Sequence, residues 1–169
     1  MPEFESVTTK AELEIANQIT QFRASKGLAA IHLSSSLSSA CRYKAARMQA
    51  GEGSEIKSDN RPPLTRAQIV GGYTGEDVKE WIACGTVHAT ELATKITGGA
   101  SFLLYSREER FNEIGIGVAG SAFGLFCVVN LGARVGAPIP IELEPPPFPE
   151  QIPADLMLYG PALWLAPQH

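Results

Sequence analysis

Glu80 stands directly before an apolar run, where its charge needs either a partner or a chemical use. In the stretch GGYTGEDVKEWIACG, residues 71–85, this carboxylate precedes the sequence WIAC, which resembles a buried strand. Burying an ionised carboxylate without compensation costs several kcal/mol. The sequence therefore leaves two interpretations open. Glu80 is a functional carboxylate, such as a general base, or it is structural and pairs with an arginine such as Arg61 or Arg66.

The other residues able to do chemistry are sparse and scattered. The histidines are His32, His88 and His169, and no two of them have the i, i+4 spacing of a helical zinc motif. The three cysteines are too few for a disulfide framework, and their neighbours are small or apolar. We expect three largely buried thiols and no disulfide, at Cys41, Cys84 and Cys127.

Composition excludes several classes of protein. The chain has 169 residues, of which 44% are hydrophobic and 19% charged, so we expect one folded domain with a real core. The net charge of −4 and the absence of a Lys/Arg cluster argue against nucleic acid as a partner. No apolar run is long enough to span a bilayer, so we expect no transmembrane segment.

The amino terminus bears on location. MPEFESVTTK lacks a charged region followed by an apolar one, as a secretory leader would have. We therefore expect a secreted or cell-surface protein if a leader has been removed, and a cytoplasmic one otherwise.

Hydrophobic periodicity predicts helices on both sides of a hairpin. Helices are expected over residues 11–26, from an N-cap among Ser34 to Ser36 to a stop at Gly51, and over 88–97, with a loop at 52–66. The stretch NEIGIGVAGSAFGLFCVVNLG predicts two strands joined by a short turn. The pattern indicates an α/β fold, a three-layer α/β/α sandwich with a small antiparallel sheet.

The first of these strands has a face made of glycine. Ile114, Ile116 and Val118 alternate with Gly115 and Gly117. Because a glycine face has no side chains, it lets a helix or another backbone approach closely. The second strand is apolar on nearly every residue, which indicates that both faces of the sheet are covered.

The chain divides into three parts: a flexible amino terminus (1–10), the domain (11–133) and a proline-rich extension (134–169). Nine of the twelve prolines lie beyond residue 137, and residues 156–165 include many large apolar side chains. Proline favours extended chain, but such apolar content is costly to leave in water. We expect the extension to dock on the domain or on a second subunit, giving a homodimer.

The order of several segments resembles the CAP superfamily, the cysteine-rich secretory, antigen-five and pathogenesis-related proteins, in a bacterial SCP-like form. The segments are RASKGLAAIHLSSSLSSACRYKAARM, RPPLTRAQIVGGY, EWIACG, RFNEIGIGV and GLFCVVNLG. The resemblance covers residues 11–132 and implies an α/β/α sandwich with a polar central cavity.

Within that resemblance, Glu80 is the cavity carboxylate, and Tyr73 belongs to the Gly-Tyr segment. The two positions at which the family has metal-binding histidines fall on Glu55 and Phe102. The expected ligand-binding or cavity set is thus Glu80, Glu55, Phe102 and Tyr73, with no metal and no cofactor. An alternative register makes Glu76 the family glutamate, with His88 at the family's Trp-to-His spacing.

The loss of polar cavity groups, together with the apolar extension, favours a binding module over an enzyme. We expect no catalytic residues and a binding site for an apolar small molecule, of the lipid or sterol class that the resemblance implies, or for a protein partner. The alternative is a hydrolase of unknown substrate with Glu80 as general base, assisted by Glu55 or His88. A third interpretation is a structural domain of a larger surface protein.

Overall fold

The computed structural model describes the backbone of residues 2–52, 61–121 and 124–135, and the side chains within 10–50, 61–120 and 124–135. The helices are α1 (Pro2–Ser25), α2 (Ser35–Arg47), α3 (Pro63–Gly71), α4 (Ala89–Thr97) and α5 (Ala100–Ser106), and a π-helical turn (Met48–Glu52) follows α2. The strands are β1 (His32–Leu33), β2 (Asp77–Thr86), β3 (Phe111–Ser121) and β4 (Gly124–Ala133). Among these residues, no helix has the length and apolarity to cross a bilayer.

The four strands form one mixed sheet in the order β1-β3-β4-β2. β3 and β4 are the predicted antiparallel hairpin, and β2 pairs antiparallel with the other side of β4. The two-residue β1 pairs parallel with β3 at Glu113 and Ile114. The expectation of a purely antiparallel sheet is therefore wrong at this edge, because the segment that leads into α2 adds itself to β3.

Helices cover both faces of the sheet, so the predicted α/β sandwich is confirmed. On one face α1, α4 and α5 pack over Ile114, Ile116 and Val118 in the largest apolar cluster. On the other face α2 and α3 pack in two smaller clusters, which include Leu37 and Val128. β4 is buried along nearly its whole length, as its uniformly apolar sequence indicated.

The glycine face of β3 receives the backbone of α2. A Cβ atom added at Gly115 would lie 2.7 Å from the backbone nitrogen of Ser38, and one added at Gly117 would lie 2.7 Å from the Cα of Arg42. Real Cβ atoms do not approach other heavy atoms so closely, so helix and strand contact each other backbone to backbone at these positions. The side chain of Ser34 caps α2 by accepting a hydrogen bond from the Leu37 amide at 3.2 Å.

Beyond β1, side chains complete the outer edge of β3. The Ile116 amide donates to Ser38 Oγ at 3.2 Å, and the Val118 amide donates to Glu12 Oε2 at 3.1 Å. Glu12 also accepts two hydrogen bonds from Arg42, at 2.8 and 3.1 Å. Because an open strand edge invites pairing with other chains, these contacts protect β3 while joining α1 to α2.

Two helix boundaries differ from the sequence expectation. α1 begins at Pro2 rather than near residue 11, and α3 begins at Pro63, within the predicted loop. Both starts place proline at the first helical position, where its missing N–H costs nothing and its fixed φ suits the helix. The prolines at 62 and 63 mark the start of a helix as well as the end of a loop.

Replacing Gly117 by alanine should destabilise the domain by about 1–3 kcal/mol or more, because the new methyl group meets backbone that cannot rotate away. Urea unfolding monitored by circular dichroism measures this loss. Gly99→Ala is the matched control, since its Cβ would come no closer than 3.4 Å to Ile96 O. Equal stability of Gly117→Ala and the wild type would contradict the backbone contact.

Candidate functional site

Glu80 lies on β2, on the face covered by α2 and α3. Its register partner on β4 is Asn130, which is fully buried. Arg66 on α3 forms an ion pair with Glu80 Oε2. The Asn130 amide, oriented with its nitrogen toward Glu80, donates to the same oxygen at 3.1 Å and to Val129 O at 3.2 Å. The carboxylate therefore has the partners that its burial requires.

Arg66 is the more deeply buried member of this pair, with 2% of its side chain exposed against 10% for Glu80. Its other terminal nitrogen donates to Arg61 O at 3.1 Å. Of the two arginines that the sequence offered as partners, Arg66 supplies the charge and Arg61 supplies a backbone carbonyl. We call Arg66, Glu80 and Asn130 the buried ion-pair cluster.

Tyr73 lies on the same face of the sheet but belongs to a second cluster. Its hydroxyl donates to Glu113 Oε1 at 2.8 Å, and Arg134 Nε donates to the same oxygen at 3.0 Å. The guanidinium of Arg134 also lies 5.0 Å from the centre of the Tyr73 ring and donates to Thr74. Burial and the hydrogen bond to Glu113 raise the pKa of the Tyr73 phenol well above its usual value. Tyr73 thus holds a buried carboxylate and helps to close the end of the sheet.

Phe102 does not share a cavity with Glu80. It is fully buried on α5, on the opposite face of the sheet, where its ring lies 4.9 Å from Trp81 and 6.0 Å from Phe22. The sequence analysis missed α5, and placing Phe102 by counting along the chain could not show which face it occupies. Glu55 lies outside the described residues, so the expected cavity set does not come together among the residues that are described.

The alternative register also places its two residues far apart. Glu76 directly precedes β2 and His88 follows it, so ten residues of extended strand separate them, about 30 Å at the usual rise. His88 instead lines a surface cleft of about 250 Å³ between α1 and the start of α4. Glu80 and His88 are similarly separated by about 20 Å of strand. The length of strand between them argues against a catalytic pair of Glu80 and His88.

The three cysteines form no disulfide, as predicted, but they differ in exposure. Cys41 and Cys127 are fully buried, and desolvation raises the pKa of both thiols, with a contribution at Cys41 from the nearby Glu80 charge. Cys84 is exposed, so the expectation of burial is wrong there. It lies on the edge strand β2 at an irregularity in the pairing with β4.

Sequence reasoning missed Glu113 and Asn130. Glu113 is 2% exposed and Asn130 is fully buried, and each lies within a stretch interpreted only as an apolar strand. The signal was available, since a single polar residue inside an apolar strand implies a buried partner. Within the described ranges, no three His, Cys, Asp or Glu side chains come together as a metal ion would require. In these clusters, partners within the protein neutralise the buried charges.

The fold is similar to that of an outer surface protein from Borrelia burgdorferi. The two structures superpose with a TM-score of 0.62 over 75% of this chain and 95% of the other, with 16% sequence identity. No protein-family model and no curated protein matches the sequence. Identity at this level establishes similarity of fold alone.

The buried ion-pair cluster should behave as one unit. Arg66→Met and Glu80→Gln should each cost about 3–5 kcal/mol, because either change leaves a buried group without its partner. The double variant should cost less than the sum of the two by about 1–3 kcal/mol. Denaturant unfolding of all four proteins measures this coupling. Arg110→Met, which breaks a half-exposed pair with Asp77 and Glu108, is the control and should change stability little. Strict additivity of the two changes would contradict the pairing.

Stability should fall as the pH rises above about 8.5, the pKa of a thiol in an unfolded chain. Since burial raises the thiol pKa of Cys41 and Cys127, the unfolded state loses these protons first. The contribution of the two buried thiols to the stability of the fold is therefore fully present below about pH 8.5 and is lost as the pH rises above it. Melting temperatures from pH 7 to 10 test this dependence. Cys84→Ala should leave the alkaline slope unchanged, and Cys41→Ala should reduce it. A flat profile would contradict burial of the thiols.

Proposed function

We propose that this chain is a non-enzymatic binding domain of CAP type that works outside the cytoplasm and recognises a protein partner. The observation that carries the proposal is the state of Glu80. A general base must reach its substrate with a lone pair to spare. Here the carboxylate is nine-tenths buried and accepts from both Arg66 and Asn130. This arrangement supports a structural role for the residue on which the hydrolase alternative depends.

Two other carboxylates are engaged in the same way. Glu113 accepts from Tyr73 and Arg134, and Glu12 accepts from Arg42 and the Val118 amide. In each case an arginine on another element neutralises the charge and fixes the position of a helix or strand. Groups that an enzyme would use for acid–base chemistry are here used to hold the layers together.

The packing of α2 favours a protein partner over an enclosed apolar ligand. The space between α2 and the sheet is closed by backbone contact at Gly115 and Gly117, and Tyr73 and Leu37 fill the space above Gly132. Small-molecule pockets usually measure about 300–1,000 Å³, and a pocket in this position would need a gap between α2 and the sheet. A lipid or sterol between α2 and the sheet would have to force these layers apart.

Three further points support the proposal of a CAP-type surface protein. The order of segments in the sequence resembles that superfamily, and the α/β sandwich is the architecture that the resemblance implies. The structurally similar protein from Borrelia burgdorferi is described as an outer surface protein. We extend that location to this chain as part of the proposal.

The proposal predicts no Glu80-dependent catalysis. Wild type and Glu80→Gln should hydrolyse a panel of p-nitrophenyl esters, phosphates and glycosides at the same background rate, with Glu109→Gln as a control for an exposed carboxylate. Native mass spectrometry of the untreated protein should show the polypeptide mass without a lipid adduct. Turnover lost in a Glu80→Gln protein that circular dichroism shows to be folded would favour the hydrolase, and a stoichiometric lipid adduct would favour an apolar ligand.

A further inference from the structure

A half-exposed aromatic surface lies where α5 packs on the edge strand β2. We call Lys79, Trp81, Tyr105 and Arg110 the aromatic patch. The rings of Trp81 and Tyr105 are 6.1 Å apart and both are partly exposed. The indole nitrogen of Trp81 donates to Ser101 Oγ at 2.9 Å, which fixes the orientation of the ring.

Two cations frame these rings. Lys79 Nζ lies 5.2 Å from the centre of the Tyr105 ring, and Arg110 lies 4.4 Å from the centre of the buried Phe111 ring. Asp77 forms ion pairs with both, at 3.8 and 3.0 Å, and Glu108 pairs with Arg110 at 3.0 Å, so two carboxylates balance the two cations. Aromatic rings held in a fixed orientation, with charged groups around them, suit an extended, proline-rich chain. Such a chain docks through its proline rings and needs few backbone hydrogen bonds.

The described chain ends beside this patch. Ala133, the last residue of β4, is the register partner of both Asp77 and Phe111. The Tyr105 ring lies 5.8 Å from the Phe111 ring, and Val135 is 77% exposed. From there 34 residues (169 − 135) remain, and five residues of extended chain span about 15 Å. An extended continuation of the chain is therefore long enough to reach the patch.

We propose that the aromatic patch is the docking surface for the proline-rich segment of this same chain, residues 138–149 (PIPIELEPPPFP). The segment contains six of the twelve prolines, which would offer flat apolar rings to Trp81 and Tyr105. Glu142 and Glu144 would compete with Asp77 and Glu108 for Lys79 and Arg110. Residues 136–169 carry four acidic residues and no Lys or Arg, so the rest of the chain has 14 acidic and 14 basic residues. The docking segment 138–149 itself carries two of these four acidic residues and no basic one. The inference does not depend on the proposed function.

Trp81 reports directly on this contact. The chain has two tryptophans, so Trp164→Phe leaves Trp81 as the single one. In that background, a chain ending at Val135 should show acrylamide quenching of Trp81 roughly twofold stronger than the full chain, with emission shifted to the red, because the ring loses its cover. A synthetic peptide of residues 136–154 should restore the protection. Equal quenching of the full and shortened chains would overturn the proposal.

Two further variants test whether this segment or another part of the chain covers the aromatic patch. A chain ending at Asp155 lacks the apolar residues 156–165 and should keep Trp81 protected, whereas loss of protection there would assign the patch to those residues. In the full chain, the triple change Pro145→Ser, Pro146→Ser and Pro147→Ser should expose Trp81, which decides the question even if a shortened chain fails to fold. Protection that depends on protein concentration would place the segment on a second copy and overturn docking within one chain.

Discussion

The contact between the backbone of α2 and the glycine face of β3 is the constraint on which the rest of the domain depends. Because Gly115 and Gly117 carry no side chains, α2 lies closer to the sheet than ridge-and-groove packing of side chains would allow. At that distance Ser38 Oγ reaches the Ile116 amide, and Arg42 reaches Glu12. One pair of small residues therefore positions a helix, closes an open strand edge and joins the helices that flank the sheet.

The same closeness explains how charge is distributed in the interior. With α2 against the sheet, the polar groups on that face are sealed from water, and each needs a partner of opposite charge. Arg66 reaches Glu80 from α3, and Arg134 reaches Glu113 from the end of β4. These pairs cost desolvation energy and return little net stability, but removing one member leaves an uncompensated charge. Their contribution is to the specific placement of helices on the sheet.

Much of the architecture could be predicted from local sequence. A serine cap at 34–36, the helix ending at Thr97, the hairpin and the glycine face all follow from patterns within a few residues. Features that depend on long-range contacts could not be predicted in this way. The position of Phe102 depended on α5, a seven-residue helix that begins two residues after Gly98. Cys84 shares its strand with the buried Ala83, but it points outward at an irregular edge.

The residues of the candidate site also divide into those that local sequence predicts and those that depend on long-range contacts. The sequence was right that Glu80 needs a compensating group, and it named Arg66 among two arginines. It could not identify Asn130, because that contact depends on the register of β2 against β4. Counting along a family pattern placed Phe102 beside Glu80, although the two lie on opposite faces of the sheet. A sequence motif can thus identify a residue whose buried charge needs a partner. Which residue becomes that partner depends on the register of the strands.

Carboxylate footprinting tests the central claim, that Glu80 is an internal counter-ion, most directly. The native protein is treated with a carbodiimide and glycine ethyl ester, and modified residues are identified by mass spectrometry. The account predicts that Glu80 and Glu113 stay unmodified while the exposed Glu14 and Glu109 react, and that all four react in the unfolded chain. Modification of Glu80 in the folded protein at the rate of Glu109 would contradict the account, because it would show an accessible carboxylate.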